Sequence, residues 1–179
     1  MFSSPSELEL VSKQTKKTLF QACSQGLVLS AHPPLRVMVR FDSHIPMRSF
    51  LTRSPVFACL FLGSSAHQPM VQTVDWLINY SCKKSQELPK CFEKIPLSLP
   101  QKTVFKLIAN IPFGDSLPSR EIASNVGISV DEVDVICNTN PLPLFIPCHR
   151  VHRQSYPEPI KNFYSNLQTF EKTGNLVNP

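Results

Sequence analysis

Leu35, Val37, Val39 and Phe41 alternate with Arg36, Met38, Arg40 and Asp42. This period of two predicts a strand with one face buried. Gly26–Ala31 before it and Met47–Thr52 after it predict neighbouring strands of a small antiparallel sheet, with His32-Pro33-Pro34 and residues 43–46 as turns. Val56–Leu62 is apolar throughout and fits a buried strand or a short helix equally. Met70, Val71, Val74, Leu77 and Ile78 recur at helical spacing and predict a helix over about 67–82, with Trp76 in its core. Residues 83–99 are charged and punctuated by proline. A domain boundary is expected there, giving an N-terminal α/β domain over 1–95 and a second domain over 96–179.

The second half reads as mostly helical. Val104, Phe105, Ile108 and Ile111 predict a helix over about 101–110, stopped before Pro112. Ser119–Val126 is a short helix with Ile122 and Ala123 inward, and Gly127 is a natural C-terminal stop. Ser129-Val130-Asp131-Glu132 is a capping box that starts another helix, running to about Asn138. Two short helices joined by a glycine-containing turn suggest a helix-turn-helix. Ile160, Phe163, Tyr164, Leu167 and Phe170 mark a last helix.

Charge changes this picture a little. The net charge is +5, but residues 1–95 carry eleven Lys/Arg against six Asp/Glu, whereas residues 96–179 carry seven against seven. A nucleic-acid partner is allowed, yet the basic surplus lies away from the helical half. Residues 1–17, with Lys13, Lys16 and Lys17, read as a solvated polar arm. The six cysteines have no disulfide-scaffold spacing, Met1–Leu10 has no signal pattern, and no apolar run approaches the ~20 residues of a membrane span. A reducing cytoplasm and no membrane association are expected.

The candidate chemistry lies in Asn140-Pro141-Leu142-Pro143-Leu144-Phe145-Ile146-Pro147-Cys148-His149-Arg150-Val151. A cysteine is a good nucleophile as a thiolate, and a neighbouring His or Arg favours that form. Pro147 biases Ile146 toward extended geometry, so the thiol is expected at the end of a buried, extended apolar segment. Two plainer readings compete. A lone buried Cys is usually a small hydrophobe. Cys137, Cys148, His149 and His152 are conceivable zinc ligands, but without any paired knuckle spacing.

The stretch resembles the active-site signature of the methylated-DNA–protein-cysteine methyltransferases, which repair O6-methylguanine: Asn-Pro, four mostly apolar residues, then Pro-Cys-His-Arg-Val. The resemblance extends over roughly 97–174. Gln101 and Val104 are similar to the family's first helix, Ile111-Pro112-Phe113-Gly114 to its Ile-Pro-Tyr-Gly, and Arg120-Glu121-Ile122-Ala123 to its helix-turn-helix entry. It implies a mostly helical, winged helix-turn-helix-like alkyltransferase domain following the α/β domain. It implies Cys148 as nucleophile, His149 as the base acting through a water, Glu171 as the residue that orients His149, and Asn140 as the holder of the turn. Positions 119, 120, 131 and 150 (Ser119, Arg120, Asp131, Arg150) are expected to meet DNA. The implied partner is double-stranded DNA containing O6-alkylguanine, met by a monomer. No cofactor is expected, because the alkyl group arrives with the substrate, and no structural metal is expected either. Some family members hold zinc in the N-terminal domain, but near Cys23 and His32 no second Cys precedes them.

The chain departs from the family in three places. The family's base-displacing Arg falls at Asp131 counted back from Asn140, and near Val133 counted forward from Gly114. The family's Tyr falls at Ser119, and no Gly occurs between 127 and 174, where the family has a glycine-rich wall. With Asp131, Glu132 and Asp134 on the second helix, these departures keep open a second reading. In it the chain is a degenerate relative that binds alkylated DNA without efficient transfer.

Overall fold

The computed structural model describes residues 26–65, 67–84, 87–157 and 160–173. The polar arm over 1–17 and Cys23 lie outside them. The chain forms two compact units that divide between Ile95 and Pro96.

The first unit is a four-stranded sheet with a helix. Strands β1 (Leu27–Ser30), β2 (Leu35–Ser43), β3 (Ile45–Arg53) and β4 (Phe57–Ser65) are ordered β1-β4-β2-β3. Along β2 the alternation is carried through: Leu35, Val37, Val39 and Phe41 are buried, and Arg36, Arg40 and Asp42 are exposed. The sheet is mixed, where an antiparallel one was expected. β3 runs back antiparallel along one edge of β2, and β4 then pairs parallel along the other. Only Ser54-Pro55-Val56 connects β3 to β4. Two strand spacings of about 4.8 Å are within the reach of that link. The interior place of β4 fits the first part of its apolar run: Phe57, Ala58 and Cys59 are all buried, whereas Leu60 is half-buried and Leu62 is exposed. Helix α1 (His67–Ser81) packs against β1 and β4 through a buried face that includes Met70, Val74, Leu77 and Tyr80. Trp76 belongs to that core, stacked on Tyr80 at 5.5 Å. A short 3-10 turn, Lys90–Lys94, packs beside β3.

The second unit is helical. Helix α2 (Leu99–Ala109) starts two residues earlier than its apolar spacing indicates. Ser98 and Gln101 form a reciprocal capping box there, and Pro100 is preset for the first turn. Helix α3 (Ser119–Val126) ends at Gly127, which adopts the left-handed conformation at φ +76°. Helix α4 (Val130–Asn138) begins with the Ser129–Glu132 capping box and packs on α3. Two-residue strands β5 (Leu117–Pro118) and β6 (Val151–His152) pair in parallel beside this helix pair. Helix α5 (Ile160–Thr173) turns Tyr164, Leu167, Phe170 and Glu171 inward. Among the described residues, no helix is long and apolar enough to cross a membrane.

Candidate active site

Residues 141–147 are compact, not an extended strand as the proline pattern suggested. The Ile146 amide donates back to the Leu142 carbonyl at 2.9 Å, and Leu144 takes a left-handed φ of +81°. Burial of Leu142, Leu144, Phe145 and Ile146 compensates for that backbone. Asn140 ties the loop together. Its Oδ1 accepts from the Leu142 amide, and its Nδ2 donates to the Ile146 carbonyl, each at 2.9 Å. The same Nδ2 lies 3.2 Å from Cys148 Sγ and donates to it. Cys148 opens a 3-10 turn, Cys148–Arg150, and is fully buried.

Beyond the thiol, His149 is also fully buried. Its Nε2 lies 2.7 Å from Glu171 Oε1, so a ring N–H there donates to the carboxylate. His149 Nδ1 then presents its lone pair, with no hydrogen-bond partner among the described residues. Gln168 donates to the His149 carbonyl from the neighbouring turn of α5.

Glu171 is a buried hub, not an exposed helix-end acid. Oε2 accepts from Arg150 Nε at 2.8 Å and from the Gly114 amide at 3.1 Å, and Oε1 accepts from the other arm of Arg150 at 3.0 Å. This fork-to-carboxylate pairing is the strong bidentate form. Burial works to raise the Glu171 carboxyl. The hydrogen bonds from His149 and Arg150, with the charge of Arg150, outweigh it and hold the group down at about 2. Gly114 sits at φ +85°, and a Cβ there would stand 3.2 Å from the Glu171 carbonyl oxygen. The Ile-Pro-Phe-Gly stretch is therefore the socket for the end of α5.

The four positions expected at DNA separate. Arg120 and Asp131 are exposed, on α3 and α4. Ser119 is only 6% exposed, because it opens α3 on that helix's inner side. Arg150 is engaged elsewhere: besides Glu171, it donates to the Ile111 carbonyl at 2.8 Å and lies over the Phe113 ring. Its donors brace the site from inside, which leaves them unavailable to phosphate. On α4, Asp131, Glu132 and Val135 face solvent, while Asp134 is half-buried with its Oδ1 unpaired.

Two residues given no catalytic role by the sequence lie near the same site. Cys137, in the last turn of α4, is buried. Arg153 is only 4% exposed; its guanidinium donates to Asn138 Oδ1 at 2.6 Å and lies 4.5 Å over the Tyr156 ring. A Cys eleven residues before Cys148 has no local catalytic signature, and an Arg after His152 reads as surface. Zinc ligation by Cys137, Cys148, His149 and His152 finds no geometry: His149 Nε2 is committed to Glu171 and His152 is exposed. Among the described residues, no three His, Cys, Asp or Glu side chains are grouped to hold a metal ion.

These features define a class, a buried thiol held by an asparagine and followed in the chain by a Glu-oriented histidine, on a helix-turn-helix scaffold. Comparison with known proteins narrows it. Residues 100–159 match the family model described as 6-O-methylguanine DNA methyltransferase, DNA binding domain. A protein of Acanthamoeba polyphaga mimivirus, a probable methylated-DNA–protein-cysteine methyltransferase, is 31% identical over 106 residues, covering 56% of this chain and 68% of the viral protein. The methylated-DNA–protein-cysteine methyltransferase of Saccharolobus islandicus is 43% identical over 49 residues, or 27% of this chain and 32% of the archaeal one. The fold is similar to that of Mycobacterium tuberculosis OGT in complex with DNA, with a TM-score of 0.60 and 19% identity over 80% of this chain and 95% of that one. The Pyrococcus kodakaraensis O6-methylguanine-DNA methyltransferase gives a TM-score of 0.53 and 14% identity over 75% and 98%. The chain belongs to the methylated-DNA–protein-cysteine methyltransferase family.

Proposed function

We propose that this protein repairs DNA by transferring the alkyl group of O6-alkylguanine to its own Cys148, once per molecule. The observation that carries this reading is the fixed thiol: Cys148 Sγ is held by Asn140, beside a His149 ring clamped by Glu171. In the reaction the thiolate attacks the alkyl carbon, an S–C bond forms, and the O6–C bond breaks. The guanine oxygen leaves with the electron pair, and the base takes up a proton. The proton path implied by the family resemblance runs from Cys148 through a water to His149, whose Nδ1 lone pair is open to receive it. The product thioether is stable, so turnover stops there. Extruding the damaged base costs a few kcal/mol, less when it is mispaired.

One observation favours a second reading, binding without efficient transfer. The solvent face of α4 carries Asp131 and Glu132 and no Lys or Arg, and carboxylates there repel phosphate. A single measurement separates the two. After incubation with O6-methylguanine duplex, the intact mass should rise by one methyl group, located on Cys148 by peptide mapping. Retarded DNA with unchanged protein mass would establish the binding reading instead.

A further inference from the structure

The sheet of the first unit buries one face and turns the other to solvent. Register across the strands orders the outer face in rows. Arg36 stands in one row, Leu60, Met38 and Phe50 in the next, and Arg40 and Arg48 in the third. The three arginines and Phe50 are exposed, and Met38 and Leu60 are half-buried. An apolar row is therefore flanked on both sides by arginine, and the two arginine rows lie about 13 Å apart, four residues along a strand. Arg40 and Arg48 are direct partners across β2 and β3, a placement that like charge makes unfavourable. Among the described residues, none of the three arginines makes an ion pair. The Arg48 guanidinium lies 5.8 Å from the Phe50 ring centroid, and Phe50 remains 38% exposed. The kind of cation is selective as well. Residues 1–95 contain four arginines and seven lysines; all four arginines stand on β2 and β3, and none of the lysines does. The guanidinium is a planar fork that fits phosphate and stacks on aromatic faces. The acid on this face of the strands is Asp42, one row beyond Arg40 at the end of the hairpin.

We propose that this outer face is a second nucleic-acid surface, which holds an unpaired DNA strand with phosphates on the arginines and a base against Phe50. Charge complementarity selects a polyanion: phosphate between Arg40 and Arg48 relieves their mutual repulsion. The apolar row selects the unpaired form. In a duplex the flat faces of the bases are covered by their neighbours, so Phe50 has nothing to meet, whereas the bases of a single strand are free to stack on an aromatic ring. DNA is the occupant in a chain whose residues 100–159 match a DNA-binding domain model. The surface supplies the attraction to phosphate that the acidic outer face of α4 lacks. It stands apart from the role of Cys148 and does not depend on methyl transfer.

The test is fluorescence anisotropy of the full-length protein with a labelled oligothymidylate of about 16 nucleotides, and with a duplex of the same length, over a range of salt. Circular dichroism of each variant checks the fold. Arg48→Glu sets an opposite charge against Arg40, so the hairpin should hold while single-strand affinity falls about tenfold at low salt and less at high salt. Arg36→Gln should lower the slope of log affinity against log salt by about 0.7, the share of one phosphate contact on a single strand. Phe50→Ala should lower single-strand affinity about tenfold at every salt concentration and leave duplex affinity unchanged, and Phe50→Trp should restore the loss. Single-strand affinities that are equal for wild type, Arg48→Glu and Phe50→Ala would overturn the proposal. So would variants that lose binding to phosphatidylserine vesicles with DNA affinity unchanged, since the face would then meet a lipid surface. Single-strand binding that depends on Arg48 and Phe50, in a protein that takes no methyl group from DNA, would support this surface and overturn only the transfer reading.

Discussion

The loop from Asn140 to Arg150 and the neighbouring helix α4 belong to one unit but answer to different physics. The loop is buried, and its polar groups are nearly all engaged: Asn140 makes three bonds, and Glu171 accepts from His149, Arg150 and Gly114. The outer face of α4 is exposed and carries acid, which suits a helix N-terminus but opposes phosphate. The inner face of the same helix is buried through Val133, Ile136 and Cys137. Interlocked buried side chains and solvated ones thus stand under different constraints within one unit. Side chains that each satisfy several buried groups cannot change singly without leaving one unpaired, whereas solvated side chains can.

The comparison breaks first at the nucleophile. Cys148→Ala or Cys148→Ser should abolish methyl uptake while leaving the circular dichroism spectrum unchanged, since each side chain is small. Methyl gain by either variant would remove Cys148 from its role.

Glu171→Ala should come next, costing about 3 kcal/mol in urea unfolding, because it strands the partly buried Arg150 fork. The pH dependence has a definite sign. The folded carboxyl lies at about 2 against an ordinary 4.5, so its contribution is fully present above pH 4.5 and is lost as pH falls toward 2. Glu171→Gln should flatten the acid limb of stability across that window. An unchanged slope would mean that the clamp does not hold in solution.

Gly114→Ala should cost about 2 kcal/mol, through a positive φ and a crowded Glu171 carbonyl. It should also slow transfer by loosening His149. A variant as stable as wild type would disprove the socket.

The smallest effect is expected on α4. Asp131→Arg should tighten duplex binding a few-fold at low salt and less at high salt, as attraction to phosphate replaces repulsion. The cap survives because Ser129 and Glu132 remain. Equal affinity of the two proteins at every salt concentration would show that α4 does not face DNA.

Much of the framework is legible from short-range pattern. The alternation in β2 and the helical spacing of α1 and α5 are periodic signals within one element. Ser129 with Glu132 and Gly127 mark helix ends because caps act within four residues. The Asn140–Val151 stretch names the thiol and its neighbours by chain proximity alone. The Ser98–Gln101 cap was equally local, and apolar spacing alone passed over it.

What lay beyond the sequence depends on contacts between distant residues. Whether β4 pairs with β3 or with β2 is decided by where its continuous apolar run can be buried, and periodicity carries no such information. Glu171 becomes a hub only when α5 returns it to His149, twenty-two residues back, and to the loop at Gly114, fifty-seven back. Arg150 looks free to bind phosphate until the same return takes its donors. Arg153 reads as a surface cation in the chain, and folding buries it with its guanidinium on Asn138 and over the Tyr156 ring. Local pattern specifies elements and their ends because those interactions span a few residues. The state of a buried charge or proton depends on every group that surrounds it, and only the tertiary structure assembles that set.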